Sequence, residues 1–570
     1  MMRISIRASR AGFSGCTLVV AALVGGAGSS ASIAHAQNQP LDGAPSTRAA
    51  TTPATTPGPT LEALLAKARA GAGRDQLRRA FPHGYELTGT AQFLGEAGEA
   101  SLVVGATEHA SRCVLGVRGK ITFIRGVDEY GPWLHDLGGE IRRLHLGEAE
   151  EARLLATALT GSWIDDPDSA GLVLSARGPG EIDYRAADGL TTGVITLDEA
   201  TGRALHWTMR VGDEESRVSF VGVLEQGAGA ALPASVTISR SGGEALTYTW
   251  TRATALESSA SDKFHPPGML PDGAIARPSD VAFSGHGPLE SSRAKTGHAL
   301  VKVGVDGHDG WFIFDTGAGG TVIDSAFADR AGLGSFGQVS ARGVGGSVLA
   351  SFARASELRV GPATLRQALM TRLDLQPIAK AIGHELQGVL GYNVMHRTIA
   401  RVSTRDGLVT LHDPAAFDDA GLRWHTLIVY ERHACVEGSF GVRPEQRFRG
   451  VFKLDTGAAM NPVAIHQPTV QRLKLLDGLA ASESTAGGVG GNVKVMKADL
   501  AWLEVGGLRQ ENVSANFALE AKGAFADEYT LGNLSKKQIG ARDIVLDYAG
   551  GRIAFPEHEP VAAPAPSAGP

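Results

Sequence analysis

Apolar residues along the chain recur with two different periods, and these periods divide the sequence into regions. A helical spacing of three to four residues marks 61–73 (LEALLAKARAGAG) and 148–161 (EAEEARLLATALTG). Runs with apolar residues at alternate positions follow both segments, for example YELTGTAQFLG and ALHWTMRV. For residues 60–260, called the N-terminal region below, the pattern predicts an α+β domain with one or two helices on a long antiparallel curved sheet.

The first residues have the pattern of a secretion signal. Arg3, Arg7 and Arg10 precede an apolar stretch of small residues, and Ala34-His35-Ala36 fits a cleavage site. We therefore expect 1–36 to be a signal peptide and the mature protein to be exported, to the periplasm or outside the cell. An uncleaved membrane anchor is the alternative. No other stretch approaches the roughly 20 apolar residues that span a bilayer, so no stable membrane insertion is expected after cleavage.

Segments rich in proline separate the predicted domains. Residues 37–59 are rich in Pro, Thr and Ala and predict a flexible linker. Residues 261–294 are rich in Pro and Gly and predict a connection between domains, and 557–570 predict a disordered tail.

Composition narrows the class of protein. The chain has 570 residues, 43% hydrophobic and 20% charged, as in ordinary globular proteins. Its 74 glycines are about twice the usual share and favour a β-rich protein with many tight turns. The net charge of −6, without a dominant basic block, argues against nucleic-acid binding. Cys113 and Cys435 are too few for a disulfide scaffold. A single disulfide between them is one alternative, and two separate buried thiols are the favoured one. The sequence contains no cluster of Cys and His residues, so it predicts no metal site.

The second half of the chain repeats itself. Residues 311–317 read WFIFDTG and 451–457 read VFKLDTG. Each copy then has a Gly-Val-Gly-Gly segment, at Gly343, Val344, Gly345 and Gly346 and at Gly488, Val489, Gly490 and Gly491. A Leu-Gly pair follows, with Gly391 lying 76 residues after Asp315 and Gly532 lying 77 residues after Asp455. Three landmarks at matched spacing indicate an internal duplication.

Each copy places an acid, a hydroxyl and a glycine directly after a strand of large apolar residues. Loss of solvation at the mouth of such a strand raises the pKa of an aspartate. Two such carboxyls brought face to face cannot both ionise, because like charges at contact distance repel, and the pair shares one proton. The ionised partner can activate a water while the protonated one polarises a carbonyl. That chemistry is metal-free general acid–base hydrolysis.

The motifs Asp315-Thr316-Gly317-Ala318 and Asp455-Thr456-Gly457-Ala458 resemble those of the aspartic peptidases, and among them the retropepsin-like type. The resemblance covers roughly 295–556. It implies a mainly β fold in which two tandem retropepsin-like β-barrel lobes, 295–415 and 416–556, form one pseudo-twofold unit. It also implies aspartic-type endopeptidase activity on a polypeptide substrate, without a cofactor.

The resemblance also implies roles for single residues. Asp315 and Asp455 would be the catalytic pair, and the loops around them would be braced by Thr316, Gly317, Thr456 and Gly457. The Gly-Val-Gly-Gly segments would be flaps over the substrate, near 337–352 and 484–497. Thr530 departs from the family pattern, which has a large aliphatic residue there. Because one chain carries both copies, linkage favours pairing within a monomer.

The N-terminal region is similar in pattern to the LolA/LolB-like curved sheets, although no single motif carries the similarity. A fold of that kind does not define a function. Three roles stay open for it: binding an apolar ligand, recruiting substrate or regulating the enzyme, and assisting its folding. The rival hypothesis for the whole chain is a non-catalytic periplasmic lipid- or peptide-binding protein built on a retired protease scaffold. Two intact aspartates argue against it.

Overall fold

The computed structural model describes residues 18–20, 58–106, 112–211, 214–224, 231–240, 245–259, 261–343, 346–403, 405–458, 462–488, 491–540 and 542–558. Most of the segments expected to be signal peptide, first linker and tail lies outside these residues, as do Val344, Gly345, Val489 and Gly490. Strands dominate the described chain, so the expected mainly β class is confirmed. No helix among the described residues is long and apolar enough to cross a membrane.

The N-terminal region forms one antiparallel sheet of 13 strands. Strands that are consecutive in the chain pair with each other, except that Ile141–Arg143 and Leu172–Gly178 form the two edges of the sheet. The pairing of Gly84–Phe93 with Leu246–Ala255 joins the first strand to the last. Side chains alternate between buried and exposed, as a sheet covered on one face requires. The strands are Gly84–Phe93, Glu96–Gly105, Cys113–Gly119, Phe123–Asp128, Gly131–His135, Ile141–Arg143, Leu172–Gly178, Glu181–Ala186, Thr192–Leu197, Ala204–Val211, Glu214–Val221, Ser235–Arg240 and Leu246–Ala255.

Helices cover this sheet where the sequence has its helical period. The first helix, Leu61–Gly71, begins at Thr60, whose hydroxyl accepts a hydrogen bond from the Ala63 N–H at 3.2 Å. The longest, Leu146–Thr160, ends at Gly161, which adopts a left-handed φ of 68°. The shorter helices Arg74–Ala80 and Ser162–Asp165 complete the layer.

In the first repeat, six strands pair in a closed ring. Around the ring they are Ala299–Val305, His308–Phe314, Gly388–Leu390, Val322–Asp324, Ala363–Leu373 and Gly346–Val360. A further strand, Ser335–Gly343, pairs with the last of these as a long hairpin, called the first hairpin below. The short strand Leu18–Val20 pairs in parallel with its tip. Short helices are Ser325–Arg330, Gln376–Ile382 and Tyr392–Met395.

The second repeat has the same strand order. Its ring consists of His433–Gly441, Phe448–Leu454, Gly532–Leu534, Val463–Ile465, Leu508–Ala518 and Gly491–Val505, and Ser482–Gly488 forms the second hairpin. The helix Gln467–Arg472 and the 3₁₀ turns Thr456–Ala458, Gly523–Ala526 and Lys536–Ile539 complete it; a further 3₁₀ turn, Ser261–Phe264, precedes the repeats. Both Cys113 and Cys435 are buried free thiols.

Six further strands form a sheet that the two repeats share. Ile399–Ser403 pairs with Asp543–Asp547 at its centre, and Val409–His412, Arg552–Ala554, Gly287–Pro288 and Trp424–Tyr430 extend it outward. Strands from both sides of position 415 thus pair in one sheet, and the boundary at 415 stays a prediction. The expected linker 261–294 likewise contributes short strands, Val281–Phe283, Gly287–Pro288 and Ser291–Arg293, because edge strands tolerate its Pro and Gly.

The strand register also corrects the equivalence of Gly391 and Gly532. Phe312 pairs with Gly388 in the first repeat, and Phe452 pairs with Gly532 in the second. Gly532 is therefore the counterpart of Gly388, three residues before Gly391. Thr530 lies before this strand, so it does not occupy the position at which the family has a large aliphatic residue. The register is set by pairing with the strand that precedes each aspartate, and the Leu-Gly pattern in the sequence does not predict it.

We expect Gly532→Ala to destabilise the protein strongly, because an added Cβ would lie 2.1 Å from the Ala464 carbonyl oxygen. Overpacking of this kind costs about 1–3 kcal/mol or more. Gly334→Ala is the matched control, since nothing lies within 4 Å of an added Cβ there. Urea unfolding of both variants measures the difference. Equal midpoints would contradict this strand register.

Candidate active site

Asp315 and Asp455 each directly follow one of the six strands of a ring. The strands are His308–Phe314 and Phe448–Leu454. The Asp315 N–H donates to the Leu390 carbonyl at 3.1 Å, and the Asp455 N–H donates to the Leu534 carbonyl at 2.7 Å. Each aspartate is thus held where two parallel strands end side by side.

Four hydrogen bonds between threonines and backbone tie the two Asp loops together. The Thr316 N–H donates to Thr456 Oγ1, and the Thr456 N–H donates to Thr316 Oγ1, both at 3.0 Å. The hydroxyls donate onward, Thr316 to the Leu454 carbonyl at 2.6 Å and Thr456 to the Phe314 carbonyl at 3.2 Å. Each hydroxyl both donates and accepts, so the brace leaves no polar group of the two threonine side chains unpaired.

The glycines after the threonines let the two carboxyl groups meet. A Cβ on Gly317 would lie 2.7 Å from Asp455 Cγ, and one on Gly457 would lie 2.3 Å from Asp315 Cγ. Their N–H groups instead donate to Asp315 Oδ1, at 2.7 Å from Gly317 and 3.1 Å from Gly457. Any side chain at either position would push the aspartates apart.

The two carboxyl groups differ in their hydrogen bonds. Asp455 Oδ1 accepts from the Ala458 N–H at 2.7 Å, whereas its Oδ2 is buried without a partner among the described residues. Both side chains are buried, with 1% of Asp315 and 2% of Asp455 exposed. A free oxygen on a buried carboxyl is the position in which a proton can be carried and donated.

Burial raises the pKa values of both aspartates. It raises the pKa of Asp315 to about 7, against the opposing effect of the two glycine N–H groups. Burial, and then the charge of Asp315, raise the pKa of Asp455 well above its ordinary value. Asp315 Oδ1 accepts two backbone N–H groups and Asp455 Oδ1 accepts one, so the hydrogen bonds favour the anion on Asp315 and the shared proton on Asp455.

The Gly-Val-Gly-Gly segments lie at the tips of the two hairpins. Gly343 pairs with Gly346 and Gly488 pairs with Gly491. The residues between them, Val344 and Gly345 and Val489 and Gly490, are outside the described chain. The sequence thus placed both segments in hairpins, and their action as flaps stays a prediction.

Two buried histidines beside the Asp loops were missed by the sequence analysis. His433 Nε2 lies 3.1 Å from the Gly317 carbonyl, which can only accept, so this nitrogen carries the hydrogen. His298 faces the backbone of Gly457 in the mirrored position. Burial lowers the pKa of His433 to about 3 and that of His298 to about 4, so both are neutral. A repeated His-Ala, at 298–299 and 433–434, was the available signal.

No group of three or more His, Cys, Asp or Glu side chains within the described ranges is placed to hold a metal ion. The residues around Asp315 and Asp455 are apolar side chains, threonine hydroxyls, glycine backbone and the two neutral histidines. The chemistry that this arrangement can support is proton transfer between two carboxyls and a third group.

A sequence model described as aspartyl protease matches residues 301–394, which include Asp315 and most of the first repeat. Among solved structures, the chain is similar to an aspartic proteinase from Irpex lacteus, with 12% sequence identity and a TM-score of 0.32. That similarity covers 49% of this chain and 99% of the other. The comparison with curated proteins finds no match. The first repeat is therefore similar in sequence to aspartyl proteases.

We expect Asp455→Asn to raise the melting temperature at pH 8. Above about pH 4 the unfolded chain has lost the Asp455 proton, whereas the folded protein keeps it. The free energy of unfolding therefore falls as the pH rises above about 4. An amide stays neutral and removes this cost, so the melting temperature should rise. Melting curves at pH 4 and pH 8 test it, with the half-exposed Asp309→Asn as control. A variant less stable than wild type at pH 8 would refute the assignment.

Proposed function

We propose that the chain is an exported aspartic endopeptidase in which Asp315 and Asp455 of one molecule form the catalytic pair. The observation that carries this proposal is the reciprocal brace between Thr316 and Thr456, which holds two buried aspartates face to face. The match of 301–394 to the aspartyl protease family supports it. The two rings of equal strand order are, in this proposal, the two lobes of one peptidase unit.

The hydrogen bonds assign different roles to the two carboxyls. Asp315, stabilised as an anion by two N–H groups, takes a proton from the attacking water. Asp455 carries its proton on Oδ2, which accepts no N–H or O–H group from the described residues, and donates it toward the carbonyl oxygen of the scissile peptide. The C–N bond then breaks as the tetrahedral intermediate collapses: the proton held by Asp315 passes to the amine nitrogen, and a hydroxyl of the intermediate returns its proton to Asp455. This reaction needs only a water and the proton that the pair shares.

Substrate, location and assembly follow as parts of the same proposal. The substrate is a polypeptide, bound across both repeats. Export rests on the signal-like pattern of residues 1–36. The working unit is a monomer, because the four brace bonds already link the two repeats of one chain.

Either Asp315→Asn or Asp455→Asn alone is expected to abolish nearly all cleavage of an unfolded protein substrate. Loss of one carboxyl removes the shared proton, and rate losses of roughly 10³-fold or more are usual for such groups. Mixing the two inactive variants should restore nothing, since each molecule contains only its own pair. Rates of each variant alone and mixed, at several concentrations, are the measurement.

Activity recovered on mixing would indicate pairing between chains. Substantial activity in Asp315→Asn alone would indicate that Asp455 pairs with its equivalent in a second molecule. Asp309→Asn, on an exposed part of the same strand pair, should keep wild-type activity.

The pH dependence of kcat/KM should be bell-shaped, since one carboxyl must be ionised and one protonated. The rate falls at low pH as Asp315 takes up a proton. Because its pKa is raised to about 7, the acid limb should lie well above the ordinary aspartate value of about 3.9. The rate falls again at high pH as Asp455 ionises. A pH–rate profile checks this, and a rate still maximal near the ordinary value would contradict the assignment.

A further inference from the structure

Gly317 is held at both of its backbone polar groups. Its N–H donates to Asp315 Oδ1 at 2.7 Å, and its carbonyl accepts from His433 Nε2 at 3.1 Å. Glycine is conformationally permissive, so these two bonds restrain the direction in which its N–H points. His433 belongs to the second repeat and Gly317 to the first. The imidazole therefore links the two repeats one residue beyond the threonine brace.

The hydrogen bond from His433 lies away from solvent. The histidine is 2% exposed, and Gly317 is buried. A buried carbonyl without a donor is costly, because no water replaces the lost partner. Loss of the imidazole N–H would therefore favour a rotation of Gly317 that brings its carbonyl to another donor. The N–H of the same residue would then move away from Asp315.

The turn that carries His433 is strained and is held from two sides. His433 closes a hairpin in which Glu431 and Arg432 adopt left-handed φ values of 49° and 65°. Two-residue turns of this kind prefer Asn and Gly, because other side chains crowd the backbone there. The Glu431 N–H donates to Glu148 Oε2 at 2.8 Å, and Lys453 Nζ donates to Glu431 Oε2 at 2.9 Å. Backbone strain that neighbouring groups hold in place clusters at functional sites.

The mirrored histidine of the first repeat makes different hydrogen bonds. His298 Nδ1 lies 2.6 Å from Thr296 Oγ1, and its Nε2 has no hydrogen-bond partner among the described residues. The turn before it contains Gly297, which adopts its left-handed φ of 89° at little cost. The bond from a histidine ring to an Asp loop is thus made by His433, and the loop is that of Asp315.

Several charged or titratable groups face His433. Burial lowers its pKa to about 3, and the charges of Lys453 and Arg432 act in the same direction, against that of Glu431. The Cys435 thiol lies 3.8 Å from the His433 carbonyl. The ring is therefore neutral where the aspartate pair titrates, and a substitution at 433 removes no titrating group from that range.

Two titratable groups face Asp315. They are Asp455 and the buried Tyr548 hydroxyl, whose pKa burial raises well above its ordinary value. Neither is altered when His433 is replaced. A change in the pKa of Asp315 in a variant at 433 therefore reports a change in the N–H groups that bond to it.

We propose, resting on the peptidase function above, that His433 is a positioning residue for the catalytic pair. Its Nε2–H holds the Gly317 carbonyl, and Gly317 in turn keeps its N–H on Asp315. That N–H favours the anion on Asp315, which is the form that takes a proton from water. The imidazole transfers no proton itself, because it is neutral and its Nε2–H is bonded to a carbonyl.

The test compares His433→Leu with His433→Gln in the full-length protein. Leucine has no donor, whereas the Gln amide carries an N–H at the same number of bonds from the backbone as His Nε2. In His433→Leu the acid limb of kcat/KM should move up by about one pH unit, a tenfold loss of rate on that limb. KM should stay within about twofold of wild type, since uniform substrate binding is unchanged. His433→Gln should restore the wild-type limb.

His412→Leu is the matched control. His412 lies in the shared sheet, where its ring centre is 5.0 Å from that of Phe417, and its replacement should leave the acid limb unchanged. A folded His433→Leu with the wild-type acid limb overturns this inference and leaves the peptidase standing. An equal shift in the Leu and Gln variants also overturns it, since ring packing and not the N–H would then be responsible.

The wild-type protein gives a second readout that does not depend on the folding of a variant. In NMR spectra of protein labelled at the histidine nitrogens, His433 should carry its hydrogen on Nε2, unchanged from about pH 4 to about pH 8. A hydrogen on Nδ1 instead, or a second proton gained in this range, overturns the inference alone. Absence of both cleavage and pepstatin binding in the wild-type protein overturns the proposed function, and the inference with it.

Discussion

Two carboxyl groups of like charge lie side by side in a buried site, and much of the surrounding structure serves to keep them there. Burial and mutual repulsion both oppose ionisation, so the pair is stable only with a shared proton. The threonine brace offsets the tendency of the loops to separate, because each hydroxyl bonds to the opposite loop. Glycine at 317 and 457 is required by the same closeness, since a Cβ would collide with the facing carboxyl.

Two rings of the same strand order supply this geometry, and small differences between them make it asymmetric. Both rings deliver an aspartate from the same strand position, and the shared sheet joins the repeats on the far side. Yet both the Gly317 and the Gly457 N–H groups bond to Asp315, whereas Asp455 Oδ2 accepts no N–H or O–H group from the described residues. Two equivalent sequences thus yield one group suited to be a base and one suited to be an acid.

The N-terminal region changes how the site is understood. By sequence it is a separate antiparallel domain with no motif of its own. In the structure its core merges with that of the first hairpin, and its 136–140 turn meets the loop after Asp315. The contacts of Arg397, Gln338 and Tyr529 join this region to both repeats.

The sequence by itself determined the β-rich class, the duplication, the resemblance of the first repeat to aspartyl proteases and the candidate pair Asp315 and Asp455. These depend on alternation, on spacing and on a few adjacent residues, which a linear pattern records. Tertiary structure alone decided that Gly532 corresponds to Gly388, that His298 and His433 face the Asp loops, and that Glu140 reaches Arg397. Strand register and contacts between residues more than 100 positions apart arise from packing and hydrogen bonding in three dimensions, for which no local pattern is required.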